Sequence, residues 1–241
     1  IFAQGFGFFG GIKATCRRLT SHRASGKIGS HLITRMDSGQ DLYIGLMSGT
    51  SSDAIDAALV RFSDSGCELI STLAATLDAP ILDRIKRAVD GTADRISDIS
   101  ELDVLLAQAF ADTALLLKDQ AGVDQITAIG SHGQTVRHQP RGCLPYTVQL
   151  GNGARIAALT GITTVSDFRT ADLALGGQGA PLVPAFHRAV FSNPDENRVI
   201  VNIGGIANAT VLHRKDRLSG FDTGPGNTLM DHWFRQHQPG A

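Results

Sequence analysis

The sequence has little of what several classes of protein depend on. Aromatic residues make up 6% of its 241 positions, and its net charge at pH 7 is only −1. Because acidic and basic residues are interspersed, neither a nucleic-acid groove nor a membrane-binding face is indicated. No apolar run approaches the roughly 18 residues of a membrane-spanning helix. The three cysteines, Cys16, Cys67 and Cys143, lie far apart and are odd in number, so they form neither a disulfide framework nor a paired-cysteine metal pattern. A protein of the reducing cytoplasm is therefore expected.

Glycine, by contrast, is abundant, with 27 residues, where an average chain contains about 7% glycine. Much of it stands in short clusters between strand-like runs, which predicts loops that approach a ligand closely. Hydrophobic residues make up 42% of the chain. That is enough for the core of one large domain or of two smaller ones.

The first 36 residues differ in composition from the rest. They contain six lysine or arginine residues and no acidic residue, and they show neither helical nor strand periodicity. Such a composition is typical of a transit peptide, but it also fits upstream sequence translated in frame before Met36. Strong patterning begins just after Met36, which favours the second interpretation. Residues 1–36 are therefore predicted to be an extension outside the domain, poorly ordered and dispensable.

Beyond Met36, hydrophobic periodicity predicts strands and helices in a mixed order, which indicates an α/β fold. Strands are expected at 42–47, 55–62, 68–77, 126–130, 147–150, 161–168, 198–205 and 208–213. Helices are expected after Asp78, from about 97 or 100 to 118, at 153–160, after Pro184 and after Pro225. In the last helix, Met230, Trp233 and Phe234 are expected to belong to the core.

One arrangement of strand, turn and strand occurs twice in the sequence. The run IGLMSGTSSDAIDAALV, residues 44–60, is an apolar strand, a turn of small residues and a second apolar strand. The run VIVNIGGIANATVL, residues 199–212, repeats it. Because each run opens a mixed strand and helix unit, the repeat predicts a duplicated, two-lobed α/β fold with a cleft between the lobes.

The turns of these two runs carry chemistry. In the first turn, 48–51, small residues let backbone N–H groups approach a phosphate, and the hydroxyl groups add donors. Asp53 and Asp56 either hold a metal ion or order the turn, and a tight hairpin with Asx and Ser/Thr turns explains the same residues. No GxxxxGK[ST] motif is present. The second turn, Gly204–Gly205 with Asn208, favours two facing hairpins that hold a triphosphate from both sides.

Two further clusters suggest a site for a sugar. The stretch SHGQT, 131–135, follows a buried strand and is expected to be a loop, in which His132 and Gln134 hydrogen-bond the ligand. The alternative is a capped turn with a satisfied histidine. In the stretch 167–187, Asp167, Arg169 and Gln178 are predicted to hold an oxygen-rich ligand, unless Arg169 simply pairs with a neighbouring aspartate.

The stretch GFDTGPGN, 220–227, contains the candidate base. Asp222 is expected to lie in a glycine-rich turn just before the N-terminus of a helix. A carboxylate there is suited to act as a base or to face a charged ligand. The alternative is that Asp222 only caps the turn.

Taken together, these motifs closely resemble the anhydro-N-acetylmuramic acid kinase family, of the actin, Hsp70 and sugar-kinase superfamily. The matching segments are GLMSGTSSDAIDAAL, IGSHGQTVRH, DFRTADLALGGQGAPLVPAFH, VNIGGIAN and GFDTGPGNTLMD, from about Tyr43 to Phe234. The resemblance implies the family reaction, in which ATP and water convert 1,6-anhydro-N-acetylmuramic acid into N-acetylmuramic acid 6-phosphate during recycling of cell-wall peptidoglycan. It also implies a two-lobed actin-like fold, ATP and Mg²⁺ as cofactors, a sugar as substrate, and a cytoplasmic homodimer without nucleic-acid or membrane partners.

The resemblance also assigns roles to residues. The activating base is Asp222. The ligands of the metal stay unassigned. The ATP-binding residues are Gly49, Thr50, Ser51, Ser52, Asp53, Ala54, Ile55 and Asp56, together with Gly204 and Gly205. The substrate-binding residues are His132, Gln134, Thr135, Asp167, Arg169 and Gln178.

The chain departs from the family pattern at three points. Ala54 stands where the family usually has glycine, and its Cβ would make a positive φ costly. Ser52 stands where a larger apolar residue is common, and both changes are expected to tune ATP affinity. The third departure is that the later glycine-rich adenosine segment is missing. The expected domains are a first lobe at 37–196 and the opening of a second lobe at 197–241, with little kinase activity in this chain alone.

Two other functions stay open. A non-catalytic sugar or nucleotide sensor on the same fold would show no sugar-dependent turnover of ATP. A glycoside hydrolase would release its product without ATP, although the two phosphate-type hairpins argue against it.

Overall fold

The computed structural model describes residues 41–49, 54–63, 66–93, 95–215 and 217–238. The predictions made for the first 36 residues, and those for Thr50, Ser51, Ser52 and Asp53, lie outside the described residues.

Strands and helices follow one another in the mixed order of an α/β protein, which confirms the expected fold class. The strands are β1 Leu42–Ser48, β2 Ala54–Ser63, β3 Gly66–Thr76, β4 Ala128–Gln139, β5 Tyr146–Leu150, β6 Thr164–Val165, β7 Arg198–Ile203, β8 Ile206–Leu212 and β9 Leu218–Pro225. The helices are α1 Ala79–Asp90, α2 Ile96–Gln120, α3 Gly153–Thr160, α4 Thr170–Ala174, α5 Pro184–Phe191 and α6 Asn227–His237.

The first sheet has the strand order β3-β2-β1-β4-β5, and β6 pairs with β4. Strand β1 lies antiparallel to β2 and parallel to β4. Helix α2 packs on this sheet through Leu102, Leu106, Phe110 and Leu117, all almost completely buried. Their spacing of four, four and seven residues places them on one face of the helix, so the main core lies between α2 and the first sheet.

Helix α1 shows how local signals set its ends. Pro80 stands in its first turn, where a missing N–H costs nothing. The helix ends at Gly91, which has a φ of 78° and donates its N–H to the carbonyl of Arg87. Only glycine adopts this left-handed conformation readily, so both boundaries are readable from the sequence.

The second sheet has the order β7-β8-β9. Both β1–β2 and β7–β8 are antiparallel hairpins, and in each sheet the third strand adds antiparallel to the second. The repeat seen in the sequence is therefore present in the structure. Strand β7 differs from β1 in one respect, because no described strand pairs with its outer edge.

The face of the second sheet that lies away from α5 is apolar and exposed. Val199, Val201 and Ile203 are each more than half exposed. On α6, Met230, Trp233 and Phe234 are also exposed and line an open groove. The expectation that these three residues belong to the core was wrong for the described part of the chain, because nothing in it packs over this face of α6.

Two stretches expected to be loops are strands. Residues 131–135 belong to β4, and residues 220–225 belong to β9. Glycines and polar residues suggested loops, but their backbone groups still pair with the neighbouring strands. Conversely, the strand expected at 161–168 is limited to Thr164–Val165. None of the described helices combines the length and the apolarity that a bilayer-crossing helix needs.

Candidate functional site

A bulge in β4 sets the geometry at the centre of the candidate site. Leu46 of β1 faces Ser131, but Ser48 faces Gln134, so β4 contains one extra residue over this interval. Gly133 lies within the bulge with a φ of 71°. A bulge of this kind bends the strand and re-aims its side chains, which is how His132 and Gln134 come to serve two different neighbours.

His132 is a partner of Arg169. Arg169 donates its Nε–H to Nε2 of His132 across 3.0 Å, while Nδ1 of His132 lies 2.9 Å from the carbonyl of Gly133. Since Nε2 accepts, Nδ1 carries the proton and donates. Burial, and then the charge of Arg169, lower the pKa of His132 to about 4, against a rise from its bond to Gly133. His132 is therefore neutral near pH 7, and it orients Arg169.

Arg169 is a half-buried cation with a fixed direction. Burial lowers the pKa of its guanidinium, and the charge of Asp222 raises it. It forms no ion pair with Asp167 or Asp172, since the ion pairs of the described residues are Arg61–Glu68, Arg84–Glu101 and Arg198–Glu196. The simple aspartate pairing considered for Arg169 is thus not what the structure has.

His138 is a residue that the sequence did not single out. Its Nδ1 lies 3.1 Å from Oγ1 of Thr147 on β5. Burial, and then the charge of Arg169, lower its pKa, while a backbone hydrogen bond with Gln178 and the charge of Asp222 raise it. His138 therefore lies in the same electrostatic neighbourhood as Arg169 and Asp222. The signal in the sequence was its place at the end of the motif IGSHGQTVRH, six residues after His132.

The turn 176–179 is shaped around Asp172. The backbone N–H of Gly179 donates to Oδ2 of Asp172 across 2.7 Å, and that of Gly177 donates to the Asp172 carbonyl across 2.8 Å. A Cβ on Gly177 would collide with the Asp172 carboxylate, which explains the glycine. The turn places Gln178, whose side chain is exposed, beside His138.

Asp222 lies on β9 and comes from the second sheet. It is exposed, and it interacts electrostatically with Arg169 and His138 of the first sheet region. The prediction that it stands in a turn was wrong. A bulge follows it, because Ala207 faces Gly224 while Asn208 faces Asp222. The structure thus brings together Asp222, Arg169, His132 and Gln178 from distant parts of the sequence.

Gln134 does not join this group. Ser48 donates its Oγ–H to Oε1 of Gln134 across 2.6 Å, and Nε2 of Gln134 donates to the carbonyls of Thr135 and Gly49 across 3.1 and 3.5 Å. Gln134 is only 1% exposed. These bonds tie Gln134 to the first glycine turn, which it supports.

The second glycine turn is tied to α6. The carbonyls of Gly204 and Gly205 accept from the backbone N–H groups of Gly226, Asn227 and Thr228 across 2.8, 2.7 and 3.4 Å. The first N–H groups of α6 are therefore used, and they are not available to an anion. The N–H groups of Gly204 and Gly205 donate to no partner within the described residues. They are the donors that this turn offers to a ligand.

Thr135, Asp167 and Ile55 were also predicted to bind the substrate or ATP. Oγ1 of Thr135 accepts from Gln149 across 3.2 Å. Asp167 is exposed, has a φ of 57° and accepts from the N–H of Thr170, so it caps the start of α4. The side chain of Ile55 is completely buried in the core.

Ala54 begins β2, and Asp56 lies half-buried in it. Asp167 is the one non-glycine residue with positive φ in the described part of the chain. Ala54 therefore has an ordinary backbone conformation, and its Cβ brings no backbone strain. No cluster of three or more potential metal-binding side chains occurs among the residues the structure describes.

Comparison with known proteins identifies the family of the chain. The family model described as anhydro-N-acetylmuramic acid kinase matches residues 41–241. The chain belongs to the anhydro-N-acetylmuramic acid kinase family. The resemblance inferred from the motifs is thereby confirmed.

Curated relatives agree with the family model. The anhydro-N-acetylmuramic acid kinase of Vibrio parahaemolyticus is 51% identical over 199 residues, which cover 82% of this chain and 54% of the relative. The one from Vibrio vulnificus is 52% identical over 202 residues, covering 83% and 55%. The one from Coxiella burnetii is 51% identical over 198 residues, covering 80% and 53%. The chain thus spans about half the length of these anhydro-N-acetylmuramic acid kinases.

Proposed function

We propose that the protein catalyses the ATP-dependent hydrolytic ring opening of 1,6-anhydro-N-acetylmuramic acid and its phosphorylation on O6, giving N-acetylmuramic acid 6-phosphate for cell-wall recycling. The observation that carries the proposal is the relationship of Asp222 to Arg169. An exposed carboxylate on the second sheet interacts with a half-buried, oriented cation just before α4, without a direct ion pair between them. A polar substrate fits between such a pair better than a hydrophobic one.

Asp222 is assigned the role of general base. The 1,6-bridge ties C1 of the sugar to its own O6, so water must attack C1 while the C1–O6 bond breaks. Asp222 takes one proton from that water, and O6 forms the new bond to the γ-phosphate of ATP as ADP leaves. General bases typically contribute about 10²–10⁴-fold to a rate. Attack from the face opposite the bridge inverts C1.

Arg169 is assigned to the polar groups of the sugar. His132 holds its Nε–H, so the terminal guanidinium nitrogens are the ones presented to a ligand. Fixing one nitrogen of a guanidinium reduces the freedom it loses when it binds a second group. Gln178, on the turn shaped by Asp172, lies beside His138 and adds an amide.

The two glycine turns are assigned to the phosphates. Gln134 supports the first turn through its hydrogen bonds with Ser48 and Gly49. The second turn presents the N–H groups of Gly204 and Gly205. Preorganised N–H donors stabilise the charge that develops during phosphoryl transfer. Mg²⁺ enters as part of the nucleotide substrate, where it neutralises phosphate charge.

The proposed function is tested on this chain joined to the C-terminal half of the Vibrio parahaemolyticus relative, called the extended chain below. It is incubated with MgATP and the anhydro-sugar in ¹⁸O-water, and the product is analysed by mass spectrometry. The expected product carries ¹⁸O at C1 and unlabelled oxygen between C6 and phosphorus. Binding without sugar-dependent turnover would identify a sensor, and ring opening without ATP would identify a hydrolase. Either result contradicts the proposal, as does ¹⁸O between C6 and phosphorus.

A cytoplasmic location and a homodimeric state are also proposed, from family membership. Sedimentation of the extended chain measures the second directly.

A further inference from the structure

A row of three polar side chains crosses the second sheet at the candidate base. In the antiparallel pairings, Asn202 of β7 faces Asn208 of β8, and Asn208 faces Asp222 of β9. Residues directly opposite one another in antiparallel strands project their side chains on the same face, about 5 Å apart. Asn208 therefore lies next to the carboxylate of Asp222.

The face that carries this row is the one turned toward the first sheet. Two residues along β8, Oγ1 of Thr210 lies 2.9 Å from Nδ1 of His187 on α5. Two residues along β9, Gly220 packs so closely against Pro184 of α5 that a Cβ there would collide with it. Because strand side chains alternate with a period of two, Asn208 and Asp222 lie on the α5 side. Arg169 and His138 act on Asp222 from that side.

Asn208 has a buried polar atom without a partner. Its Oδ1 is buried and accepts no hydrogen bond from any residue that the structure describes. The side chain as a whole makes no hydrogen bond to any residue that the structure describes. Buried polar atoms in folded proteins nearly always have partners, and an exception calls for a ligand, a water molecule or a functional reason. An amide left in this condition beside a carboxylate thus indicates a missing third group.

The bulge after Asp222 shows that the local backbone is adapted to this place. Pairing shifts between Ala207 and Asn208, which leaves Thr223 as the extra residue of β9. Oγ1 of Thr223 donates to the carbonyl of Ala207 across 3.1 Å, and Gly224 follows with a φ of 139°. Bulges are frequent beside active sites, where they re-aim a side chain.

We propose that Asn208 is a catalytic residue of the proposed reaction, one that holds the attacking water together with Asp222. The water has two protons. Asp222 accepts the first and removes it as the bond to C1 forms, and Oδ1 of Asn208 accepts the second in a hydrogen bond and leaves it in place. With both protons directed at protein oxygens, a lone pair of the water is aimed at C1. This inference rests on the proposed function, because the water is a reactant only in that chemistry.

The test uses Asn208→Ala and Asn208→Asp in the extended chain, with Asn193→Ala as the matched control. Asn193 is an amide whose Oδ1 accepts only from the nearby N–H of Asp195, so its variant keeps full activity. Asn208→Ala is expected to lower kcat by about 10- to 100-fold, since one hydrogen bond to the reacting water is lost, and to leave KM for ATP unchanged. Urea unfolding of each variant shows whether the fold is retained.

The pH dependence of kcat in Asn208→Asp distinguishes a catalytic role of Asn208 from a purely structural one. A second carboxylate opposite Asp222 raises the pKa of the base, although Arg169 and His138 face it from the first sheet. The acidic limb of the kcat profile is therefore expected to shift to higher pH in this variant alone. Normal kcat in Asn208→Ala, or an unshifted limb in a folded Asn208→Asp, overturns the inference while the proposed function stands. No product from the unsubstituted extended chain overturns the proposed function and this inference together.

Discussion

Arg169 donates its Nε–H to Nε2 of His132 across 3.0 Å, although 37 residues separate them. This bond joins a strand of the first sheet to the segment that precedes α4. Because Nε of Arg169 donates to His132, the two terminal nitrogens of the guanidinium are the ones left to bind a ligand. His132, which the sequence predicts to bind a sugar, fixes the direction of the arginine.

The first prediction concerns the pH dependence of stability. The pKa of His132 is about 4 in the folded protein, against about 6.5 in an unfolded chain. Between these values the unfolded state binds the proton and the native state does not, so stability is complete above pH 6.5 and falls as the pH drops toward 4. The loss from this group alone is about 3 kcal/mol. Urea unfolding at pH 7.5, 6 and 5 measures it.

His132→Gln should remove this loss of stability at acidic pH, whereas the control His213→Gln should retain it. Long-range ¹H–¹⁵N NMR of the unsubstituted protein provides an independent check. It should show the Nδ1–H tautomer of His132, with a titration midpoint well below that of free histidine. A normal midpoint would contradict the prediction.

The second prediction concerns the β4 bulge. Gly133→Ala adds a Cβ 2.5 Å from the carbonyl oxygen of Leu150, at a φ of 71°. The control Gly122→Ala has a φ of 63° but no atom within 4 Å of the added Cβ. The control is expected to cost about 1–2 kcal/mol for its backbone conformation, and Gly133→Ala about 1–3 kcal/mol more for the collision. Urea midpoints with unchanged m-values measure both, and equal losses would show that the close approach is absent.

The third prediction concerns the support of the first glycine turn. Ser48 and Gln134 form a buried hydrogen bond of 2.6 Å. Because Ser48→Ala leaves the Gln134 amide oxygen unpaired, it should cost about 1–3 kcal/mol. Ser48→Ala combined with Gln134→Met should cost less than the sum of the two single changes, since no unpaired partner remains.

The matched control for that cycle is the exposed pair of Gln120 and Ser71, which are 3.2 Å apart. Solvent replaces the lost partner there, so the coupling energy between Gln120→Met and Ser71→Ala should be close to zero. Additive losses at Ser48 and Gln134 would show that their bond contributes nothing to the turn.

The fourth prediction concerns Asp222. In the extended chain, Asp222→Asn should lower kcat by at least about 10²-fold, because an amide cannot take the proton from water. ATP binding should persist, since both glycine turns are unchanged. Asp231→Asn, an exposed carboxylate on α6, is the control and should retain activity. Near-normal turnover in Asp222→Asn would remove it from the role of base.

Much of the fold was readable from the sequence because its causes are local. Nearly continuous apolar runs specified β1 and β2, and the spacing of Leu102, Leu106 and Phe110 specified α2. Pro80 and Gly91 marked the two ends of α1, since each has a backbone preference that acts within one turn. The repeated hairpin was visible for the same reason, and the order of five motifs was enough to identify the family.

The sequence by itself determined the residue types of the site, but only the tertiary structure decided their partners. His132, Gln134 and Asp222 were recognised as polar residues among glycines, yet all three were assigned to loops and lie in strands. Their neighbours depend on strand register, and one extra residue in β4 or β9 changes which side chains share a face. The same is true of Asn208, whose place beside Asp222 follows from the pairing of β8 with β9. Contacts between residues this far apart are set by sheet packing, and no local preference in the sequence encodes them.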